Sequence, residues 1–412
     1  MMDRIVINAE LVESCLMTLA EHGAWGETGV ARPTYSPSWV AAQALVLSWC
    51  VDAGLDVRTD AVGSVWARLE GSEGRPAIVS GSHIDSQCPG GRYDGALGVI
   101  AAYIAIRALK ERFGQPRRTL ELVSLSEEEG SRYPAADFWG SRAVIGRIAP
   151  EDPDRVEALE GGTIADGMRA VGLDPARIPE AVRTDIGAYI ELHIEQGPLL
   201  EQAGVPVGVV TAITGPREYW VELRGRADHA GARPMDLRLD PMAGAAEIIS
   251  GVIATALEMG RPAVTTVGRM AVEPNASPIV PERVMFTVDA RHPDPLQRLE
   301  LYARHERLMK DIAARRDLEI SWTITGEHLP CPCAPRLVQT IEESAKELGI
   351  SYVKMTSGAA HDAQQMALIT DVAMIFVQSR DGRSHTPEEF TSIEHAVAGI
   401  EVLAATLHKL AY

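Results

Sequence analysis

Three things are scarce in this chain of 412 residues: cysteine, positive charge and long apolar runs. The five cysteines (Cys15, Cys50, Cys88, Cys331 and Cys333) are too few, too scattered and odd in number for a disulfide framework. That fits a reducing compartment and predicts a cytoplasmic protein. Lys plus Arg number 39 against 57 Asp plus Glu, a net charge of −18, and a surface that negative repels phosphate backbones and anionic lipid. Neither nucleic acid nor a membrane is expected as a partner. The apolar run 95–106 is far short of the ~20 residues that cross a bilayer. Asp3, Glu10 and Glu13 stand where an export signal needs a basic and then an apolar stretch, so no such signal is expected.

What the chain does have is a large apolar fraction arranged in alternation. The segments VWARLE (65–70) and PAIVSGSH (76–83), the long GALGVIAAYIAIRALKERFG (95–114) and then TLELVSLS (119–126) read as strand, strand, helix, strand. Runs that are apolar at consecutive positions suit central strands covered on both faces. From about residue 208 the texture shifts to several strand-like runs with two helix-like segments, and after about 326 the helix, buried strand, helix pattern returns. The expected fold is α/β, with a mixed, mainly parallel sheet flanked by helices and an inserted α+β domain. The expected boundaries are 1–210 and 327–412 for the discontinuous sheet domain, and 211–326 for the insert.

Chemistry-bearing residues cluster where strands end. In SGSHIDSQCPGGRYDGALG (80–98), His83 and Asp85 are two apart and project the same way, and Asp94 follows in a glycine-rich turn that can fold it back toward His83. In SLSEEEGSRY (124–133), Glu127, Glu128 and Glu129 directly follow a buried strand, where adjacent carboxylates repel unless a cation or solvent takes up the charge. His193 lies in ELHIEQGP and His385 in RSHTPEE. Each of these, taken alone, reads equally well as structural. Together, His83, Asp94, Glu129, His193 and His385 are nitrogen and oxygen donors without a cysteine among them, a set suited to two Zn²⁺, Mn²⁺ or Co²⁺ ions bridged by a carboxylate.

The order GSHxD, GGRYDGALG, SEEEGSR, ELHIEQGP, ADHAGARPMDLRLD, SGAAHDA, GRSHTPEE closely resembles the N-carbamoyl-L-amino-acid hydrolase, β-ureidopropionase and allantoate amidohydrolase group. That group belongs to the di-metal aminoacylase and carboxypeptidase superfamily. The resemblance implies that His83 and His193 hold one divalent ion, Glu129 and His385 the other, and Asp94 both. Asp85 would orient His83, and Glu128 would be the general base that takes a proton from the attacking water and delivers it to the leaving nitrogen. His229 would reach a neighbouring subunit's site to stabilise the oxyanion, which implies a homodimer whose inserted domain serves as lid and dimerisation layer. Arg291 would grip the carboxylate of a small amide or ureido substrate, with Asn275, Gln196 and Arg217 also in the substrate-binding set.

Two departures bear on substrate. The family string PNxxNVVPG reads PNASPIVPE, so Asn275 is kept while Pro278 replaces an amide side chain. The string GQRRY reads GPREY, so Arg217 is kept while Glu218 replaces a second arginine. Losing a donor and reversing a charge disfavours allantoate and a second substrate carboxylate, and favours linear N-carbamoyl or N-acyl amino acids with a neutral or basic group. The alternatives are a dipeptidase or aminoacylase using the same metals, and a metal-binding paralogue without catalysis. Such a paralogue would be expected to lack Glu128 or a ligand, and all are present.

Overall fold

The computed structural model describes residues 5–412; Asp3 lies outside them. The chain divides into two compact units, one of Met1–Thr211, Cys333–Met355 and His361–Tyr412, the other of Ala212–Pro332 and Thr356–Ala360.

The first unit is built on a nine-stranded mixed sheet. Its centre is four parallel strands in the order Val372–Val377, Ile186–Ile194, Ala77–His83, Leu120–Leu125. Antiparallel strands Val207–Ile213 and Val65–Leu69 flank them on either side. Strands Ala77–His83, Leu120–Leu125 and Val372–Val377 are buried at every residue, which is why their sequences lack the polar alternation of a half-exposed strand. The run 95–106 is the first two thirds of helix Ala96–Phe113, and all its helical residues are buried. Small residues let this helix press on the sheet: a Cβ on Gly98 would lie 2.3 Å from the Leu192 carbonyl oxygen. The architecture is the α/β one expected, a mixed sheet with parallel strands at its heart and helices on it.

The second unit is an antiparallel sheet with strand order Val264–Thr266, Arg283–His292, Gly215–Arg224, Glu319–Glu327; Met270–Glu273 also pairs with Arg283–His292. Burial alternates along Arg283–His292, as it must when one face is covered. Val284, Phe286 and Val288 join Tyr219, Val221 and Leu223 beneath the helices Pro241–Met259 and Pro295–Arg315, which contribute Ile248, Val252, Met309 and Ile312. Helix Pro241–Met259 is also long and apolar enough, by length and composition, to cross a membrane, and its Ala245, Ile248 and Val252 pack in this core.

His305, on helix Pro295–Arg315, is fully buried, and burial pushes its imidazole down to about 4. The unfolded chain would bind that proton at about 6.5, so the neutral ring's contribution is complete above pH 6.5 and is lost as pH falls toward 4. About 3 kcal/mol should disappear over this window. Chemical unfolding at pH 7 and pH 4.5 should show a smaller difference for His305→Leu than for the unsubstituted protein; equal differences would show that the ring does not enter the native state neutral.

Candidate active site

The four parallel strands end side by side, and each carboxyl end leads into a segment carrying polar groups, the usual place for a site in such a sheet. His83 closes the first strand, Glu127–Glu129 follow Leu120–Leu125, His193 is next to last in Ile186–Ile194, and His385 lies in the loop after Val372–Val377. Asp94 enters from the turn before helix Ala96–Phe113, where Gly95 holds φ +61°.

The imidazoles arrive with their tautomers set. His83 Nδ1 lies 3.1 Å from the Asp85 carbonyl oxygen and His193 Nδ1 lies 2.9 Å from that of Ile194. A carbonyl only accepts, so each Nδ1 carries the hydrogen and each Nε2 keeps its lone pair when the rings are neutral. Both Nε2 atoms face Asp94 Oδ1, at 3.6 Å from His83 and 3.1 Å from His193. On the other side, His385 Nε2 lies 3.5 Å from Asp94 Oδ2 and 3.3 Å from Glu129 Oε2. Asp94 thus points one oxygen at each of two groups, His83–Asp94–His193 and Asp94–Glu129–His385, both with ligand atoms close enough for one ion.

Electron pairs so close in a buried place repel unless a cation lies among them. Asp85, Asp94, Glu127, Glu128, Glu191, Asp362 and Glu389 are buried, the Glu129 side chain is 4% exposed, and Asp85 Oδ1 and Asp362 Oδ2 have no hydrogen-bond partner. Burial pushes the Glu129 carboxyl up to about 8, with Asp94 adding to it. Against the burial that favours neutral rings, the carboxylates raise both His83 and His193, chiefly Glu128 for the first and Asp94 for the second. A field that draws protons also draws metal ions, and the N/O donor set suits a divalent one.

The three glutamates part company. Glu127, at φ +49°, turns away and accepts the Tyr133 N–H at 3.2 Å, whereas Glu128 Oε2 lies 3.6 Å from His83 Nε2 and Glu129 reaches His385. Asp85 underpins both, since its Oδ2 accepts the backbone N–H of Glu128 and of Glu129 at 3.1 Å each. Gln196 donates to Asp94 Oδ2 at 2.7 Å.

Five further residues complete the surroundings, none of them among the expected site residues. Glu389 accepts the N–H groups of Tyr93 and Asp94 at 2.9 and 3.0 Å, and the Ser384 hydroxyl bridges Glu389 and Asp94. Arg32, wholly buried, donates to the carbonyls of Leu19, His22 and Ile84, tying the end of helix Ala9–Glu21 to the residue after His83. Glu191 and His361 form a third group with His193. Glu191 precedes His193 by two on one strand, a period-2 signal available in the sequence, and His361 lies in the SGAAHDA segment.

The remaining expected residues belong to the second unit and fall into separate places. Arg291 and Glu218 line one cavity of about 470 Å³. His229 is paired with Ile279 in a short antiparallel bridge, and Ala230 donates to the Pro278 carbonyl at 2.9 Å. Asn275, with φ +55°, lines a neighbouring cavity with Ala230 and Ile279. Arg217 lies on the helix-covered face of its strand, apart from the Arg291 and Glu218 cavity. Strand alternation turns it away from Glu218, onto the ring of Tyr302 at 4.2 Å and into a 2.8 Å ion pair with Glu327.

The sequence pattern of peptidase family M20/M25/M40 matches residues 80–409. An allantoate amidohydrolase of Bacillus subtilis is 39% identical over 398 residues, 96% of each chain. An N-carbamoyl-L-amino acid amidohydrolase of Geobacillus stearothermophilus is 39% identical over 411 residues, 98% of this chain and 99% of its own. Among solved structures, a hydantoinase/carbamoylase family amidase from Burkholderia multivorans superposes with a TM-score of 0.91 at 33% identity, covering 98% of both chains.

Gly95 offers a test of the geometry. A Cβ there would lie 2.4 Å from His83 Nε2, at a φ that side chains rarely adopt. Gly95→Ala should lower the affinity for Mn²⁺ or Zn²⁺ at least tenfold in a calorimetric titration while the circular dichroism spectrum is kept. Unchanged affinity would separate His83 from metal binding.

Proposed function

The chain belongs to peptidase family M20/M25/M40, and from that premise we propose that it is a metal-dependent amidohydrolase cleaving the C–N amide or ureido bond of a small N-carbamoyl or N-acyl amino acid. The observation that carries the reading is the approach of two imidazole Nε2 atoms to Asp94 Oδ1 with Glu128 beside His83. His83 and His193 would hold one divalent ion, Glu129 and His385 a second, and Asp94 both. Two such ions, Zn²⁺, Mn²⁺ or Co²⁺, supply a Lewis acid that polarises the scissile carbonyl and makes water acidic.

The chain's own residues handle the proton and the geometry. Glu128 takes a proton from the attacking water and gives it to the leaving nitrogen. Burial pushes its carboxyl well up, against the pull of His83, which favours its holding the proton it receives. Asp85 holds Glu128 and Glu129 by their backbone and sits behind His83. His229 accepts the N–H groups of Gly231 and Ala232 on Nδ1, at 3.0 and 3.1 Å, which leaves Nε2–H as the donor of the neutral ring. Such a donor suits a developing oxyanion.

The second unit serves as lid and dimerisation domain, and His229 is supplied to the partner subunit in a homodimer. Leu257 at 77% exposure and Ile253 at 40% give helix Pro241–Met259 an apolar outer face suited to a second copy. None of the five cysteines is in a disulfide, which fits a cytoplasmic location. Within the substrates of the named relatives, Pro278 and Glu218 argue for N-carbamoyl or N-acyl amino acids over allantoate.

Chelation should abolish ammonia or amino-acid release from N-carbamoyl, N-formyl or N-acetyl amino acids, and Mn²⁺, Co²⁺ or Zn²⁺ should restore it; hydrolysis by metal-free protein would overturn the mechanism. Glu128→Gln should still bind metal in a calorimetric titration yet lose roughly 10²–10⁴ in kcat. Near-native turnover would assign the base elsewhere.

Mixing His229→Ala with Glu128→Ala tests the crossing. One intact site per mixed dimer should return part of the activity after subunit exchange. No recovery would place His229 in its own subunit's site or outside catalysis.

A further inference from the structure

Strands Gly215–Arg224 and Arg283–His292 set Glu218 directly opposite Asp289, and Asp289 lies two residues before Arg291, so all three project from the face of the sheet opposite the helices. They line the same cavity, with Thr266, Thr287 and Gly358. Asp289 spends both oxygens on Arg291, accepting Nε–H and Nη2–H at 2.8 Å each, and Arg291 Nη1 donates to the Gly358 carbonyl at 3.0 Å. Those bonds leave one hydrogen on each terminal nitrogen, enough for one further carboxylate across the end of the guanidinium.

Glu218 is different. Its carboxylate makes no hydrogen bond and no ion pair within 4 Å among the described residues. The neighbouring strand leaves space beside it, because Gly326 stands there and even an added Cβ would come only to 3.5 Å from Oε2. Arg291 is matched by Asp289 and also feels Glu218, so one cation faces two carboxylates and the cavity lining is net negative. A ligand with a single carboxylate satisfies Arg291 and leaves Glu218 alone; a second carboxylate meets repulsion; a cationic nitrogen completes the set.

We propose that Glu218 selects substrates bearing a cationic nitrogen on the molecule whose carboxylate Arg291 holds, that is, N-carbamoyl or N-acyl derivatives of diamino or guanidino acids. This rests on the reading of Arg291 as the carboxylate clamp of an amidohydrolase. It adds a specificity-determining contact, and it separates compounds of equal size by charge.

The test reads binding apart from turnover. N-carbamoyl-L-lysine and N-carbamoyl-L-2-aminoheptanoate, which differ at the end of the side chain by an ammonium against a methyl, are titrated calorimetrically into full-length, Mn²⁺-loaded protein carrying Glu128→Gln. The lysine derivative should bind about fivefold to tenfold more tightly. Adding Glu218→Gln should bring the ratio close to one, and Glu218→Arg should turn the preference toward N-carbamoyl-L-glutamate. Equal affinities, no binding of either compound, or a lysine preference that survives Glu218→Gln would overturn the proposal. Hydrolysis of the same pair by the unsubstituted protein judges the parent reading separately: a lysine preference in binding with neither compound cleaved would overturn the amidohydrolase and leave the charge selection standing.

Discussion

Two imidazole Nε2 atoms brought to one carboxylate oxygen, at 3.1 and 3.6 Å, are the constraint on which the first unit depends. Neutral nitrogen and anionic oxygen do not approach so closely in a buried place of their own accord, so every layer around them works to keep them there. Carbonyl groups of Asp85 and Ile194 fix the rings from behind. Backbone N–H groups hold Glu389, and through it the turn that carries Asp94. Glycines at 91 and 95 stand where any side chain would strike Glu389 or His83. The parallel sheet supplies the remaining requirement, four strand ends that deliver their loops to one side.

How far this was legible in the sequence varied with the kind of relation involved. Groups local in the chain could be read directly, as with His83 and Asp85 two apart or a run of glutamates after a buried strand, and the α/β alternation followed from strand-length apolar runs between helix-length ones. Partners brought together from a distance left no such trace. Glu389 and Asp94 are 295 residues apart, and Arg32 meets the carbonyl of Ile84 across 52. Nothing in the pattern of either segment names the other. Arg217 and Glu218 show a finer limit: adjacent residues in a strand face opposite ways, and which of the two faces the cavity depends on which face the helices cover.

The second unit follows a different logic, because one face of its sheet is packed and the other is free to vary. Tyr219, Val221 and Leu223 must stay apolar to hold the helices, and the residues between them are released from that duty. A charge can therefore be reversed at position 218 with no demand on the core. In this fold selectivity can drift at alternate positions of a strand while stability is carried by the others.

The link from Glu389 to the turn at Asp94 also has a temporal side. A ribosome releases the turn long before it has made the loop that closes over it, since Glu389 follows Asp94 by 295 residues. During synthesis the early histidines and aspartates emerge without their last members, as an open and incomplete set of donors. The full set exists only once residue 389 has been added, so the order of residues along the polypeptide delays capture of a metal ion by the whole set until then.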